Sequence, residues 1–286
     1  MTDAAVDASF DLEAYLHRVG YRGVRAPSSD VLDALCAAHP AAIPFENIDP
    51  LLGRVPSLRI GDVQAKLVGA QRGGYCFEHN ALLRQALLAF GFSVRSLAAR
   101  VTWMAPPGLP PRPCTHMLLM VELDSQRRLV DAGFGGHLIN VALKLDPGLE
   151  QATPHSRLRV TVADGVYTLE TRLTEAADGW SPIYRFTLAP QLPVDCEPLN
   201  WYTATQPTSI FRHNLLMERL TPALRANLLN DKLTLRAPGE APRVQRLADA
   251  PAFERALTEF FDVWLPVPAR ELFDRVPRGR DGIVLP

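Results

Sequence analysis

The chain of 286 residues is 47% hydrophobic and 21% charged, a composition typical of a folded protein whose core is divided over two or three lobes. Its formal net charge is -1 and the two signs of charge are mixed along the sequence, which argues against nucleic acid or an anionic membrane as a partner. No apolar run approaches the roughly 20 residues that a membrane-spanning helix needs.

The cysteines, four in number, are widely spaced and include no Cys-x-x-Cys pair. The first ten residues lack the charged and apolar regions of a secretory signal. We therefore expect reduced thiols and a cytoplasmic protein, since disulfides belong mainly to secreted proteins.

The N-terminal third has the apolar spacing of helices. Helices are predicted over 9–20, 31–39 and 58–69, with Ser9 capping the first and Pro40 ending the second. After Gly91 the apolar period changes to two, which predicts strands over 94–103, 117–123, 129–132, 158–163, 166–173 and 183–188. A Pro-rich loop over 104–115 interrupts this series, and long loops of this kind tend to border sites.

The remaining chain mixes both periods. A short helix is predicted over 197–204, then a loop over 207–211, strands over 215–220 and 228–236, and an amphipathic helix over 253–265.

One stretch, 71–80, carries the strongest chemical signal. Gly73 and Gly74 allow a sharp turn and a close approach of the backbone to a ligand, and a helix with one apolar face follows them to Phe90. Cys76 lies on the first turn of that helix, where the dipole favours a thiolate by about 0.3–1 kcal/mol. Because that contribution is small, a nucleophilic cysteine here also requires an imidazolium partner.

His116 and Asp131 meet that requirement. His116 begins one predicted strand and Asp131 ends the next, and a short turn joins the two strands. The two side chains are therefore expected side by side, facing the start of the Cys76 helix. This gives the order Cys–His–Asp, in which the histidine acts as base and the aspartate fixes its tautomer.

Other interpretations of the same residues stay open. Cys76 alone also suits a small buried apolar residue, and Asp131 also suits a turn cap. The spacing of Cys76, His79, Cys114 and His116 permits a zinc site, although Asp131 would then have no direct role. The segment 133–136 also suits a phosphate-binding loop, but it lacks the remaining glycines and lysine of such motifs.

Several blocks of the sequence resemble the arylamine N-acetyltransferase family. The first half of the chain carries four of them in order, and a fifth follows near residue 210. They are Pro44-Phe45-Glu46-Asn47, Arg72-Gly73-Gly74-Tyr75-Cys76-Phe77-Glu78, Thr115-His116, Val130-Asp131-Ala132-Gly133-Phe134-Gly135 and Pro207-Thr208-Ser209-Ile210-Phe211.

The resemblance implies transfer of an acetyl group from acetyl-CoA to a primary arylamine or arylhydrazine through an acetyl-cysteine. Cys76 would be the nucleophile, His116 its base and Asp131 the group that orients the base. Acetyl-CoA would be a co-substrate, and no metal is implied.

The resemblance also assigns supporting residues. Glu46 and Arg72 would form a structural ion pair, and Thr115, Phe134 and Gly135 would lie beside the pantetheine arm of CoA. The aromatic lining of the acyl and amine pocket would consist of Phe45, Trp103, Phe134 and Phe211.

The implied fold is α+β and similar to cysteine proteases and transglutaminases. We expect an N-terminal helical bundle over 1–92 carrying the nucleophile, a central antiparallel β-sheet or barrel over 93–206 carrying His and Asp, and a C-terminal α/β lid over 207–286.

Three other functions remain compatible with the sequence. An amide synthase of a biosynthetic pathway would keep the same three residues, and so would a cysteine hydrolase acting on peptide amides. A protein in which Cys76 is structural would use none of them.

Overall fold

The N-terminal part of the chain is helical. The computed structural model describes residues 5–105, 108, 110–172 and 179–284. Its first elements are α1 (Leu12–Val19), α2 (Ser29–Ala42), a short strand β1 (Phe45–Glu46), α3 (Ile48–Leu51), α4 (Ile60–Gln64) with a π-helical continuation (Ala65–Gly69), and α5 (Cys76–Ala89).

Two ends of these helices differ from the prediction. Asp11, not Ser9, caps α1, because its side chain accepts the Ala14 amide at 3.0 Å. Helix α2 continues past Pro40, since Ile43 N donates to His39 O at 2.9 Å and closes the last turn. A proline in the last turn removes only one bond from the helix.

A sheet of eight antiparallel strands forms the middle of the molecule. Its order is β5-β4-β3-β2-β9-β8-β7-β6. In chain order the strands are β2 (Ser93–Val101), β3 (His116–Leu123), β4 (Gln126–Val130), β5 (Leu143–Lys144), β6 (Gln151–Ala152), β7 (Arg157–Ala163), β8 (Val166–Arg172) and β9 (Ser181–Phe186).

The two edges of this sheet approach each other. The side chain of Gln151 on β6 accepts from Lys144 N on β5 at 2.8 Å and donates to Lys144 O at 3.0 Å. The sheet is therefore nearly closed into a barrel. Leu173, at the end of one predicted strand, and residues 106, 107 and 109 of the predicted Pro-rich loop lie outside the described residues.

The C-terminal part combines helices with a second antiparallel sheet of order β1-β10-β11-β12-β13. Its elements are α6 (Pro193–Thr205), α7 (Ile210–His213), β10 (Leu216–Leu220), β11 (Arg225–Leu229), β12 (Lys232–Arg236), β13 (Arg243–Arg246), α8 (Ala250–Ala256) with a π-helical continuation (Leu257–Phe261), and α9 (Ala269–Arg275).

The prediction of one strand over 228–236 is wrong. The chain reverses at Asn230 and Asp231, and Asn230 has φ 58. Asparagine adopts this left-handed backbone more readily than most residues, so the segment forms a hairpin instead of a single strand.

The predicted α+β architecture is confirmed: a helical N-terminal part, a nearly closed antiparallel sheet, and a C-terminal part of mixed helix and strand. Strand β1 pairs with β10, so the first and last parts of the chain share one sheet. The boundaries at residues 92 and 206 stay a prediction. Within the described ranges, no helix has both the length and the apolar character needed to cross a membrane.

Candidate active site

The turn before α5 is held by close backbone contacts. Glu46 N donates to Gly74 O at 2.7 Å, which joins the turn to β1. A Cβ atom on Gly73 would lie 2.1 Å from the carbonyl oxygen of Pro44, so only glycine fits at that position. The glycine is thus required by the packing of the turn against the protein's own backbone, whereas the sequence suggested approach to a ligand.

Cys76 is the first residue of α5 and is 3% exposed. The carboxylate of Glu78 accepts the Tyr75 amide at 3.1 Å and so satisfies one of the free donors at the helix start. The Cys76 Sγ lies 3.7 Å from the carbonyl oxygen of Thr115, the residue before His116. The fold therefore brings the start of α5 against the start of β3.

His116 and Asp131 lie together beside this cysteine. His116 is the first residue of β3, and Asp131 follows β4 directly. His116 Nε2 is 2.6 Å from Asp131 Oδ2, and the Cys76 thiol is near enough to the ring to raise its pKa. Because Nε2 is engaged by Asp131, Nδ1 is the nitrogen left for the sulfur.

Charge and burial set the ionisation of this pair. Burial lowers the pKa of His116, but the charge and hydrogen bond of Asp131, with a further contribution from Cys76, outweigh it and raise the pKa to about 10. Burial raises the pKa of Asp131, whereas the charge of His116 and three hydrogen bonds lower it below its ordinary value. The site thus favours imidazolium next to carboxylate at neutral pH.

Two residues that the sequence did not single out complete the surroundings. Asn80, one turn after Cys76 on α5, donates to Asp131 Oδ1 at 3.1 Å and to Met117 O at 2.7 Å. Tyr184 of β9 is buried and its ring centroid lies 5.0 Å from that of His116. The i, i+4 spacing from Cys76 was a usable signal for Asn80. Tyr184 carried no local signal.

Phe134 and Thr115 lie next to the catalytic candidates. The Phe134 ring meets the His116 ring edge-on at a centroid distance of 5.1 Å. Thr115 is joined to the neighbouring strand, its amide donating to Ala99 O at 3.1 Å. Both residues therefore border the sulfur–imidazole contact.

The predicted aromatic residues form two groups. Phe45 and Phe211 have ring centroids 6.3 Å apart, and a Cβ on Gly135 would lie 2.2 Å from the Phe45 ring. Trp103 packs instead on His137, with centroids 5.5 Å apart. The segment from Phe134 to His137 links the two groups, because it contacts Phe45 at one end and Trp103 at the other.

Glu46 and Arg72 belong to a larger buried charge network under the turn. Arg72 bonds to Glu46 Oε1 through Nε at 2.9 Å and through a terminal nitrogen at 2.6 Å. Lys66 bridges Asp49 at 2.6 Å and Glu78 at 2.7 Å. Burial raises the pKa of Glu78, although Lys66 opposes this. The network ties α3, α4 and α5 to β1.

The four residues of the zinc interpretation do not form one cluster, although Cys76 and His116 are close to each other. His79 bonds to His39 at 2.9 Å through Nδ1 and to Pro44 O at 3.1 Å through Nε2. Across the described ranges of the chain, no group of three or more His, Cys, Asp or Glu side chains is placed to hold a metal ion.

The amino-acid sequence of this chain is similar to those of known acetyltransferases. A family model described as N-acetyltransferase matches residues 28–270. The chain is 38% identical over 258 residues to the arylamine N-acetyltransferase of Mycobacterium tuberculosis strain ATCC 25618 / H37Rv, covering 89% of this chain and 90% of that protein. It is also 38% identical to the Escherichia coli K12 arylamine N-acetyltransferase, covering 87% and 88%.

Solved structures agree with the sequence matches. The structure of M. smegmatis arylamine N-acetyl transferase superposes with a TM-score of 0.87 at 36% identity, covering 93% of this chain and 98% of that one. The Mycobacterium marinum arylamine N-acetyltransferase in complex with CoA gives a TM-score of 0.85 at 35% identity, covering 92% and 98%.

Together, fold and relatives define an acyltransferase enzyme. More specifically, the chain belongs to the arylamine N-acetyltransferase family.

Proposed function

We propose that this enzyme transfers an acetyl group from acetyl-CoA to the nitrogen of an arylamine or arylhydrazine, in two half-reactions joined by an acetyl-cysteine on Cys76. The observation that supports this most strongly is the arrangement of three side chains, in which His116 bonds to Asp131 at 2.6 Å and lies close to the Cys76 thiol. The names of the relatives and the CoA-bound structure of one of them support the choice of donor and acceptor.

The first half-reaction forms the acetyl-enzyme. The Cys76 thiolate attacks the thioester carbonyl carbon, a new C–S bond forms to Cys76, and the C–S bond to CoA breaks. The CoA thiolate leaves and takes the proton held by the His116 imidazolium. The raised pKa of His116 keeps that proton available at neutral pH, and Asp131 holds the ring in the orientation that delivers it.

The second half-reaction releases the product. The amine nitrogen attacks the acetyl carbonyl carbon, the C–S bond to Cys76 breaks, and the amine proton passes to His116. The resting thiolate and imidazolium are thereby restored. Arylamines are largely neutral near pH 7, so their nitrogen lone pair is free to attack.

The surrounding residues suit the two substrates. Phe45, Phe134, Phe211 and Trp103 supply aromatic surface for the acyl group and the aromatic amine. Thr115, Phe134 and Gly135 are assigned to the pantetheine arm of CoA, since they border the Cys76–His116 contact or the adjoining loop. The Glu46–Arg72 pair supports the turn that carries the nucleophile.

We also infer that the reaction occurs in the cytoplasm and needs no metal, nucleic acid or membrane. The four cysteines are unpaired, in keeping with a reducing compartment.

Turnover with acetyl-CoA and a small panel of anilines and hydrazines tests the proposal. We expect N-acetylated product from several members of the panel, and we expect Asp131→Asn to lower the rate by roughly 10⁴-fold, as in other nucleophile–His–Asp triads. Asp164→Asn, at the exposed tip of the β7–β8 hairpin, is the control and should leave the rate unchanged.

The same assay separates the alternatives. Consumption of acetyl-CoA without any amide product would indicate a hydrolase. No turnover of acetyl-CoA with any amine, together with release of a longer tethered acyl chain as an amide, would indicate an amide synthase.

A further inference from the structure

A buried chain of hydrogen bonds runs beside the catalytic residues without including them. The Tyr15 hydroxyl of α1 is 3.0 Å from His39 Nδ1 of α2. His39 Nε2 is 2.9 Å from His79 Nδ1 of α5, and His79 Nε2 is 3.1 Å from the carbonyl oxygen of Pro44. All three side chains are fully buried. The mechanism above uses none of them.

With both rings neutral, this line of hydrogen bonds has only one arrangement of protons that satisfies every contact. A carbonyl oxygen only accepts, so His79 Nε2 carries a proton and donates to Pro44. His79 Nδ1 in a neutral ring then accepts, which places the proton of His39 on Nε2. His39 Nδ1 accepts in turn from the Tyr15 hydroxyl. Every bond therefore points toward Pro44.

Protonation of either ring would change this order. A proton added on His39 Nδ1 would turn the Tyr15 hydroxyl from donor to acceptor, and a proton added on His79 Nδ1 would force the His39 proton from Nε2 to Nδ1. Burial lowers the pKa of His79 to about 4, with the nearby charges of Glu46 raising it and Lys66 lowering it. Burial also lowers the pKa of His39 well below its ordinary value, and the charge of Arg18 adds to this. Both rings are thus neutral at the pH of catalysis.

The Pro44 carbonyl, where this line of hydrogen bonds ends, lies next to Phe45 of the proposed substrate pocket. The Pro44 carbonyl that accepts from His79 also packs against Gly73, where a Cβ would lie 2.1 Å away. The next residue, Phe45, stacks on the His79 ring with centroids 6.5 Å apart and an interplanar angle of 13°. His79 therefore constrains Phe45 in two ways. It bonds to the carbonyl of Pro44, the residue before Phe45, and its ring stacks on the Phe45 ring.

We propose that His79, oriented by His39 and Tyr15, is a positioning residue for Phe45 and thereby determines how the acceptor amine is recognised. The inference rests on the proposed function, in which Phe45 contributes to the aromatic lining for the acyl group and the aromatic amine.

Loss of the His79 contacts should affect mainly the second half-reaction, because side chains and amides outside this line of hydrogen bonds hold Asp131 and the loop after Phe134. Asp131 is fixed by Asn80 and by the Gly133 amide, at 3.1 and 3.0 Å. The loop after Phe134 is fixed separately, its Gly136 amide donating to Glu218 at 2.6 Å. Loosening Phe45 leaves these contacts in place.

The test compares the two half-reactions in a matched set of variants. His79→Leu removes both the donor and the acceptor, whereas His79→Gln keeps one of each and is the rescue variant. Tyr15→Phe removes only the first donor of the chain. Tyr21→Phe is the control, since it loses a hydroxyl bonded to Val24 O outside this chain.

We expect His79→Leu to raise the KM for an aniline by about fivefold to tenfold, the equivalent of one buried hydrogen bond. Formation of acetyl-enzyme without amine, followed by CoA release in a single turnover, should change by less than about twofold. His79→Gln should restore most of the KM, Tyr15→Phe should show a smaller rise, and Tyr21→Phe should match the unsubstituted enzyme.

Equal slowing of both half-reactions, or an unchanged KM for the amine in folded His79→Leu, would overturn the proposal. Nitrogen-15 NMR of the histidine rings gives a second readout that needs no activity. We expect His39 and His79 to be neutral Nε2–H tautomers that do not titrate from about pH 5.5 to 8. An Nδ1–H tautomer, or ordinary titration of either ring, would also overturn it.

The NMR measurement keeps this inference separate from the function itself. If the unsubstituted enzyme formed no acetyl-enzyme, the proposed function would fail while the tautomers still reported on the chain. If His79→Leu did not fold, the comparison of His79→Gln, Tyr15→Phe and Tyr21→Phe would decide the outcome.

Discussion

His116 lies between two neighbours, the carboxylate of Asp131 bonded to its Nε2 and the Cys76 thiol close to the ring. Its 2.6 Å contact to Asp131 lies in a site where both residues are almost fully buried. A buried, charge-assisted hydrogen bond of this kind is stronger than an exposed one. The charge on His116 therefore matters to folding as well as to catalysis.

The stability of the enzyme should depend on this charge. The pKa of His116 is raised in the folded protein from 6.5 to about 10, so the stabilisation is complete below about pH 6.5 and is lost as the pH rises toward 10. We expect the difference in free energy of unfolding between His116 and His116→Gln to shrink over this range. Urea unfolding in a Cys76→Ala background measures it without a contribution from the thiol. A difference that stays constant from pH 6.5 to about 10 would contradict this ionisation.

Sequence reasoning predicted the positions of individual catalytic candidates better than their surroundings. Cys76, His116 and Asp131 stand out because a glycine turn, a helix start and two strand ends mark them locally. The contact of Tyr184 with His116 depends on the pairing of β9 with β2, between segments more than 80 residues apart. No local pattern encodes such a pairing.

Helix α5 does more than carry the proposed nucleophile. Asn80 bonds to Met117 O on β3, to Asp131 Oδ1, and accepts the Ala132 amide at 3.2 Å. One side chain thus joins the helix to both strands of the hairpin that carries His116 and Asp131. Helix α5 and the β3–β4 hairpin are therefore fixed relative to each other.

Removing this link should affect both stability and rate. We expect Asn80→Ala to lower the free energy of unfolding by about 1–3 kcal/mol, since it leaves a buried carbonyl and a buried amide without partners. It should also slow acetyl-enzyme formation, because Asp131 loses one of its donors. Chemical denaturation and single-turnover kinetics measure the two effects, with Asn227→Ala as the control at a more exposed site. A rate equal to that of the control would show that Asn80 does not position Asp131.

Elements were predicted best where the apolar period is long and uninterrupted. Helix α5 and strands β2 and β3 follow their patterns closely, whereas the two-residue strands β5 and β6 were not predicted. The prediction was wrong at Pro40 and at Asn230, where a single residue decides whether an element ends. At Pro40 the helix continues because Ile43 N still bonds to His39 O. At Asn230 the strand ends because this residue adopts a left-handed backbone conformation.

At the scale of the whole molecule, the C-terminal part of the chain forms hydrogen bonds with the parts that carry the candidate site. Asn47 bonds to Phe211 O, Asn214 O and Leu216 N, each within 2.8 Å. Glu218 on β10 accepts from the amides of Gly136 and Leu138 and from Arg225. The loop that borders the pocket is therefore held by the C-terminal part of the chain.

Breaking the Glu218–Arg225 pair should be costly. We expect Glu218→Gln to lower the free energy of unfolding by about 3–5 kcal/mol, because it leaves a buried guanidinium without its counter-charge. Glu170→Gln, which breaks the more exposed pair with Arg159, should cost no more than about 1 kcal/mol. Urea unfolding of both variants measures the difference. Equal losses would mean that the buried pair contributes no more to stability than the more exposed one.

The central claim is that Cys76 itself carries the acetyl group. Intact mass spectrometry after incubation with acetyl-CoA and no amine tests it directly, followed by peptide mapping to locate the modified residue. We expect one acetyl group per chain, on Cys76, that is lost when an aniline is added and does not form in Cys76→Ser. An unchanged mass, or an acetyl group found only on another residue such as Cys114, would contradict it.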